Sequence, residues 1–425
     1  MTPPNRCLSK LVVLSAILIF LGIDDRAHGQ LLETPLDVEV EPRADDRVGG
    51  LLEVERIEDT LMDPSNQTEG ETLKEGGWDL GLVVSAAYDD NIFLSANNPQ
   101  ADLVFRITPR IAYVLGNAES EEGAYVRFDY RPTGVIYVEN GNDSRIDESV
   151  SLAAGIQGEK TSVAFVGEYL RLGDAIPDTG TQTDRREYAV EIRAAYSVTS
   201  KVALEVAGGA YGTDYEVKSL SSTRDRFADL GIRYAYSPKT EVALIYRVGR
   251  AEVTNSGDQT FHRLTANMAW KPRQKISVNL EAGIEHRTFD LGSDNYPVVD
   301  LRVAWEAREG TDIYFGAYRR EEVSAFLTGQ NYSLAGVVAG ISERLSETWI
   351  FRLEGGFEKT SYSRVSGTGP AGRRDNIYFI RPSLEHEIDD RFNLAFYYQF
   401  SQDRSNQSGF GYTDNQIGVS AGYDF

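Results

Sequence analysis

The segment DNQIGVSAGYDF, residues 414–425, alternates apolar residues with small or polar ones and ends on an aromatic. Successive side chains of a β-strand point to opposite faces of its sheet, so a period of two separates the residues into two surfaces. One surface is apolar and comprises Ile417, Val419, Ala421, Tyr423 and Phe425. The other comprises Gln416, Gly418, Ser420, Gly422 and Asp424. The segment therefore predicts a strand with one apolar and one polar face.

The same alternation recurs from Trp78 to the end of the chain and predicts about eighteen strands. Tight polar turns, such as those at residues 197–201 and 237–240, alternate with longer loops rich in Gly, Asn, Asp and Ser. Membrane barrels of single bacterial chains have an even strand number, short periplasmic turns and longer outside loops. We predict an all-β fold, a transmembrane antiparallel up-and-down β-barrel over residues 77–425. A soluble β-solenoid or propeller is the alternative, but neither predicts this alternation of loop lengths.

The N-terminus has the features of a secretory signal. Arg6 and Lys10 precede an apolar run over residues 11–23, and small residues follow at positions 27–29. This run is short for a membrane helix and suits the apolar core of a signal peptide. We predict a signal peptide over residues 1–29, with an uncleaved inner-membrane anchor as the alternative. Cleavage would remove Cys7, the one cysteine of the chain.

Residues 30–76 are strongly acidic, with fourteen Asp and Glu against four Lys and Arg. Such a composition cannot bury enough apolar surface to offset its ordering entropy, so we predict a mostly disordered segment. If both chain ends lie on the short-turn side, this segment and the mature N-terminus are periplasmic. The whole chain has a formal charge of -22. That charge argues against nucleic acid as a partner.

Two groups of residues favour a bacterial outer membrane. Aromatic side chains beside the predicted short turns fit an interfacial girdle. The girdle candidates are Trp78, Trp270, Trp305 and Trp349. Tyr423 and Phe425, at the end of the last strand, resemble the signal by which outer-membrane barrels are recognised for insertion. They imply the barrel-assembly machinery, membrane lipid and lipopolysaccharide as partners.

The polar phase of the strands carries many charges, which would cost about 2 to 4 kcal/mol for each Arg facing lipid at mid-membrane. We therefore predict that they face inward. These candidates for the lining of a lumen are Arg106, Arg110, Arg127, Asp129, Arg131, Glu187, Glu191, Arg193, Arg233, Arg247, Arg263, Glu281, Glu285, Arg302, Arg352, Glu354 and Arg381. Over the polar phase as a whole, twelve Arg are interleaved with twelve Asp and Glu, so we expect little charge selectivity. An open conducting pore and an interior closed by paired charges both remain open.

Nothing in the motifs indicates catalysis. His262, His286 and His386 fall on the apolar phase, and the chain has no HExxH, GxSxG, phosphate-loop or EF-hand pattern. We expect no enzyme activity, no catalytic residues, no cofactor and no metal. Asp89, Asp90 and Asn91 end the first strand, where such side chains suit a turn or a cation alike.

The opening residues 87–93 (AYDDNIF) and 102–111 (DLVFRITPRI) resemble the β-barrel porin 2 family. This resemblance implies an outer-membrane barrel, and for some members an outer-membrane conduit of exopolysaccharide export working with a periplasmic export protein. Inward aromatics would help sugars to pass, with Phe227, Phe261, Phe289, Phe379 and Tyr397 as candidates. The first hypothesis is a passive channel for polar solutes. The second is a closed barrel for surface display or envelope anchoring.

Overall fold

The structure is a computed structural model that describes residues 77–116, 123–367 and 372–425. The predicted signal peptide, residues 1–29, and the predicted acidic segment, residues 30–76, lie outside the described residues. In the part of the chain that is described, no helix is long and apolar enough to span a membrane.

The described residues form a closed antiparallel barrel of 18 strands, which confirms the predicted fold class. Each strand pairs with the strands before and after it in the chain. The strands are β1 (Gly77–Asp89), β2 (Asp102–Leu115), β3 (Gly123–Tyr130 and Thr133–Tyr137), β4 (Arg145–Gln157), β5 (Thr161–Leu172), β6 (Arg185–Ser197), β7 (Val202–Tyr215), β8 (Thr223–Ser237), β9 (Thr240–Val253), β10 (Gln259–Arg273), β11 (Ile276–Phe289), β12 (Gly292–Arg308), β13 (Thr311–Val323), β14 (Gln330–Arg344), β15 (Trp349–Arg364), β16 (Arg374–Asp389), β17 (Phe392–Asp403) and β18 (Tyr412–Asp424). Pro132 lacks a backbone N–H and lies at the break in β3.

The barrel closes where the terminal strands meet. Tyr88 of β1 lies opposite Ile417 of β18, and Gly81 lies opposite Asp424. The backbone N–H of Phe425 donates to the carbonyl of Leu80 at 2.9 Å. The final strand predicted from residues 414–425 therefore pairs with the first, and the ring has no free edge.

This register predicts a specific disulfide across the closure. Ser85 and Ser420 lie directly opposite each other, face inward and are buried. They form a non-hydrogen-bonded pair, in which Cα atoms are only about 4.5 Å apart. We expect Ser85→Cys/Ser420→Cys to oxidise readily and to give a cross-linked form that migrates faster on a non-reducing gel after boiling. Ser85→Cys/Gly422→Cys is the control, and preferential cross-linking of that pair would indicate a register shifted by two residues.

The barrel has its apolar residues outside and its charges inside. Leu230 is 62% and Ile417 is 61% exposed, whereas Arg131 and Arg247 are 0% and 1% exposed. In β5 and β14 both faces are largely apolar, so the sequence does not indicate which face points outward. In the structure Val163 and Val337 face outward, while Ala164 and Leu334 face inward. The outward residues form an apolar belt around the strands, a surface suited to lipid.

The strict alternation of turns and loops fails at one hairpin. Only Asp290 and Leu291 connect β11 to β12 on the side of the longer loops. The alternation of apolar and polar residues ends before this hairpin. Both strands continue past the apolar belt, where outward positions such as His286 and Asn295 are polar. Strand β8 likewise begins at Thr223, with Arg224 and Arg226 outward and exposed. The strands are therefore longer on that side than apolar periodicity indicates.

Candidate functional site

All the predicted lining residues fall on the inward face, as the alternation and the register of each strand pair place them. Buried among them are Arg110, Asp129, Arg131, Glu187, Arg247, Arg263, Glu285 and Arg381. Partly exposed are Arg106, Glu191, Arg193, Arg233, Glu281, Arg302, Arg352 and Glu354. Arg127 shares this face, opposite Val114, and is exposed near the short turns.

Most of these charges are paired along the barrel wall. Arg110 bonds Asp79 at 2.7 Å and Asp129 at 2.9 Å, and Arg381 bonds Glu354 at 3.1 Å. Pairs on adjacent strands hold these charges against the wall. Elsewhere side chains reach across the interior: the amides of Gln259 on β10 and Asn331 on β14 bond each other at 2.9 and 2.8 Å. An interior lined by paired charges was one of the two alternatives between which the sequence did not decide.

Inward aromatic rings also lie flat against the wall. Phe261 covers Gly249 of the neighbouring strand, where an added Cβ would be 2.2 Å from the ring, and Arg287 covers the other face. Phe227 lies against Gly209 in the same way, beneath the Arg247 guanidinium at 3.8 Å. Phe261 is 0% exposed, so its faces are not available to stack on a passing sugar. The expected role of Phe227 and Phe261 in sugar passage is therefore not supported by their positions.

A cavity of about 260 Å³ remains open beside β6–β12, in the half of the barrel that carries the short turns. Its polar lining includes Arg193, Glu205, Asp229, Arg233, Glu281 and Arg302. Both signs of charge face this space, as expected for a passage that polar solutes could enter.

On the other side of the interior, five buried acids form an arc. They lie beyond the edge of the apolar belt on the side of the longer loops, which we call the outer side. We call this set the acidic arc, and it comprises Asp89, Glu358, Asp375, Asp403 and Asp414. Arg373 bonds Asp375 at 2.8 Å, and Tyr318 donates to Glu358 at 2.6 Å. Neither carboxylate oxygen of Asp403 has a hydrogen-bond donor. The expected balance of charges therefore fails along this arc, which is strongly acidic.

The acidic arc predicts a pH dependence. Burial, followed by the neighbouring Asp375 carboxylate, raises the pKa of Asp403 to about 7, while the charge of Arg373 opposes this rise. Between pH ~4 and ~7 the folded state then binds more protons than the unfolded state, so stability falls as pH rises. We expect a higher urea midpoint at pH 5 than at pH 8, and a smaller difference for Asp403→Asn. An unchanged difference in that variant would contradict this assignment.

One outer loop crosses the mouth of the barrel. The connection between β5 and β6, residues 173–184, contains a short hairpin of Ala175–Ile176 with Thr181–Gln182. At its tip, Asp178 reaches the β13–β14 loop, on the opposite side of the ring. Its Oδ1 accepts from Ser324 Oγ and its Oδ2 from the N–H of Ala325, at 2.9 and 2.7 Å.

Strand β15 and the loop before β16 complete this contact. Tyr362 donates from its hydroxyl to Asp178 Oδ1 at 2.9 Å. Arg373 donates to the backbone carbonyls of Pro177 and Asp178, both at 2.8 Å, and its guanidinium lies 3.8 Å from the Phe410 ring. We call Asp178, Ser324, Tyr362 and Arg373 the loop latch. Because its members come from opposite sides of the barrel, the latch narrows the outer mouth.

Sequence reasoning missed the loop latch entirely. Asp178 and Arg373 are 195 residues apart, and neither belongs to an alternating segment. The acidic arc was missed in part for a different reason. Asp403 and Asp414 lie beyond the last outward aromatic of their strands, and continuing the alternation past that point would have placed both inward.

The predicted girdle residues lie on the outward face beside the short turns. Trp78 contacts Tyr113 and Trp349 stacks on His386, with ring centroids 4.9 and 4.3 Å apart. Trp270 and Trp305 are exposed near the short-turn ends of their strands. Tyr423 and Phe425 also face outward and contact each other edge to face.

The two histidines near the outer rim lie directly opposite each other. His262 of β10 pairs with His286 of β11, which is closer than the diagonal contact that the sequence suggests. Nδ1 of His262 bonds the Tyr246 hydroxyl at 2.7 Å, and Nδ1 of His286 bonds Asn295 Oδ1 at 3.0 Å. Both rings are exposed and outward, as interfacial histidines would be.

A closed antiparallel barrel with an apolar outside and a charged inside belongs to the class of transmembrane β-barrels. No protein-family model and no curated protein matches the chain. Solved structures to which it is similar include the Pseudomonas aeruginosa outer membrane protein opdK, at 10% identity and TM-score 0.43, covering 82% of this chain and 99% of that chain. OpdQ of the same organism has 12% identity and TM-score 0.42, covering 84% and 100%. OccK2 (OpdF) in complex with glucuronate has 9% identity and TM-score 0.45, covering 82% and 98%.

Proposed function

We propose that the protein is a passive outer-membrane channel for polar solutes. The observation that carries this proposal is the inward charged lining of a closed barrel of 18 strands. Barrels of 16 to 18 strands are wide enough for an aqueous channel. Many of the arginines are paired along the wall, and the cavity beside β6–β12 is lined by charges of both signs, which suits polar solutes. No catalytic role is assigned to any residue.

The acidic arc gives the channel a preference for cations. Buried carboxylates focus a negative potential into the lumen, which raises the local concentration of cations. Asp403 has no donor on either oxygen, so above its raised pKa of about 7 no hydrogen bond offsets the charge of this carboxylate. This differs from the weak selectivity that a balance of charges implies.

Planar-bilayer recording tests the proposal. The full chain, refolded in detergent, should give discrete conductance steps, and a KCl gradient should give a reversal potential on the cation-selective side. Asp375→Asn/Asp403→Asn should move that potential toward zero. A folded, heat-modifiable barrel that gives no steps under any applied voltage would overturn the channel.

A narrower role follows from the resemblance to the β-barrel porin 2 family. We propose that the channel serves exopolysaccharide export, with a periplasmic export protein as partner. The barrel-assembly machinery, outer-membrane lipid and lipopolysaccharide are the other proposed partners, and nucleic acid is not one. Deletion of the gene should then abolish surface polysaccharide while leaving its synthesis intact. Normal polysaccharide on the deletion strain would contradict this role.

The loop latch favours a second candidate, a closed barrel for surface display or envelope anchoring. Four side chains from opposite sides of the ring hold the outer mouth narrow, which is the arrangement that a barrel without conduction would have. If so, the wild-type chain should give no conductance steps in planar bilayers, while protease added to intact cells should cleave its outer loops.

A further inference from the structure

Three carboxylates meet at the closure of the barrel. Asp89 and Asp90 end β1, and Asp414 comes from the outer part of β18. One oxygen from each lies within 4.8 Å of the others. Asp89 and Asp414 are buried, whereas Asp90 is partly exposed at the outer rim. Together they bring up to three negative charges into a small volume between the first and last strands.

Asp414 also has an unsatisfied atom there. Its Oδ1 is buried and has no hydrogen-bond donor. Its Oδ2 accepts only from neutral groups, namely Gln416 Nε2 at 3.1 Å and Ser401 Oγ at 3.5 Å. A buried carboxylate without a donor or a counter-ion is costly, so the geometry favours a positive partner, either a proton shared with Asp89 or a bound cation.

The described chain does not supply that partner. Over residues 77–116, 123–367 and 372–425, no Lys or Arg forms an ion pair with Asp89, Asp90 or Asp414. The charge of Arg106 also acts on Asp89. A metal cation would come from solution, and the partly exposed Asp90 gives it access.

Backbone and amide donors fix the carboxylates in place. The N–H of Asn91 donates to Asp89 Oδ1 at 2.8 Å. The N–H and Nδ2 of Asn415 donate to the two oxygens of Asp90 at 2.7 and 2.8 Å. Each oxygen keeps a further lone pair, so these bonds orient the ligands without using their full capacity.

We propose that Asp89, Asp90 and Asp414 bind a divalent cation, with Ca²⁺ as the best fit, and that it clamps the first strand to the last. Hard oxygen ligands of flexible geometry, completed by water, are what Ca²⁺ prefers. The ligands come from both strands of the closure, so the bound ion stabilises the closed ring against opening there. This site is independent of whether the barrel conducts.

The test uses the full chain refolded in detergent without lipopolysaccharide and stripped with EDTA. Titration with CaCl₂ should give saturable heat by calorimetry and raise the temperature at which the folded band is lost on a gel. Asp414→Asn should abolish both effects. Asp90→Asn, a change at a partly exposed residue that should not prevent folding, should weaken Ca²⁺ binding by about tenfold or more.

Asp403→Asn is the matched control, because Asp403 is a buried acid of the next strand but lies outside the cluster. It should retain the calcium response. The proposal is overturned if the wild-type chain shows no saturable binding, or if Asp90→Asn binds Ca²⁺ like the wild type. It is also overturned if Asp403→Asn loses the response as fully as Asp414→Asn.

Discussion

Asp178→Ala should open the outer mouth and give the largest functional change of any single substitution. The carboxylate accepts from the hydroxyls of Ser324 and Tyr362 and from the N–H groups of Ala325 and Phe326, so the substitution removes the acceptor for four donors at once. Hydrogen bonds to a charged group contribute about 1.5 to 3 kcal/mol each. A net loss of about 3 kcal/mol would shift a closed-to-open equilibrium about 100-fold. Bilayer recordings should show longer openings and higher conductance.

The control for this prediction lies in the same loop. Thr181 has an exposed side chain, so Thr181→Ala should leave conductance unchanged. Both variants should keep the folded, heat-modifiable band, because the loop lies outside the strand pairing. Equal conductance in Asp178→Ala and the wild type would show that the loop latch does not limit passage.

The sequence predicts the barrel well because its dominant constraint is local. Within the apolar belt, each strand must alternate lipid-facing and lumen-facing residues, and a segment such as residues 414–425 shows this without knowledge of its partners. Even the pairing of β18 with β1 follows, since a closed ring of consecutive hairpins leaves only those two strands free to pair.

The outer part of the barrel was less predictable because the belt ends there. In β8, residues 223–227 place Arg224 and Arg226 outward, so both faces of the strand are polar and the period of two disappears. The same loss of contrast concealed Asp403, and with it part of the acid excess. Contacts between loops, such as Asp178 with Arg373, depend on three-dimensional closure and leave no periodic signal.

The ion pairs of the wall were predictable as a set but not as individual partners. Alternation places Arg263, Glu285 and Arg287 inward without indicating which carboxylate serves which guanidinium. The structure shows Glu285 between the two arginines, with Oε2 2.9 Å from Arg263 Nη2 and Oε1 2.8 Å from Arg287 Nε. Arg263 lies directly opposite Glu285 on the neighbouring strand. One carboxylate therefore bonds two buried guanidinium groups.

Glu285→Gln should accordingly destabilise the barrel more than the loss of any exposed pair. The change keeps the shape of the side chain but leaves Arg263 and Arg287 buried without an anion between them. Removing one member of a buried pair costs about 3 to 5 kcal/mol. We expect a clearly lower urea midpoint for the folded barrel, measured by intrinsic fluorescence and by the heat-modifiable band.

Glu252→Gln provides the comparison, since Glu252 pairs with Arg226 at 3.1 Å on the exposed outer rim. Exposed pairs contribute about 1 kcal/mol or less, so this variant should unfold almost like the wild type. The double variant Arg263→Gln/Glu285→Gln should recover part of the loss, because it removes one of the two cations that lose their bond to Glu285. Equal midpoints for Glu285→Gln and Glu252→Gln would mean that water in the lumen screens the inner pair as well as it screens the outer one.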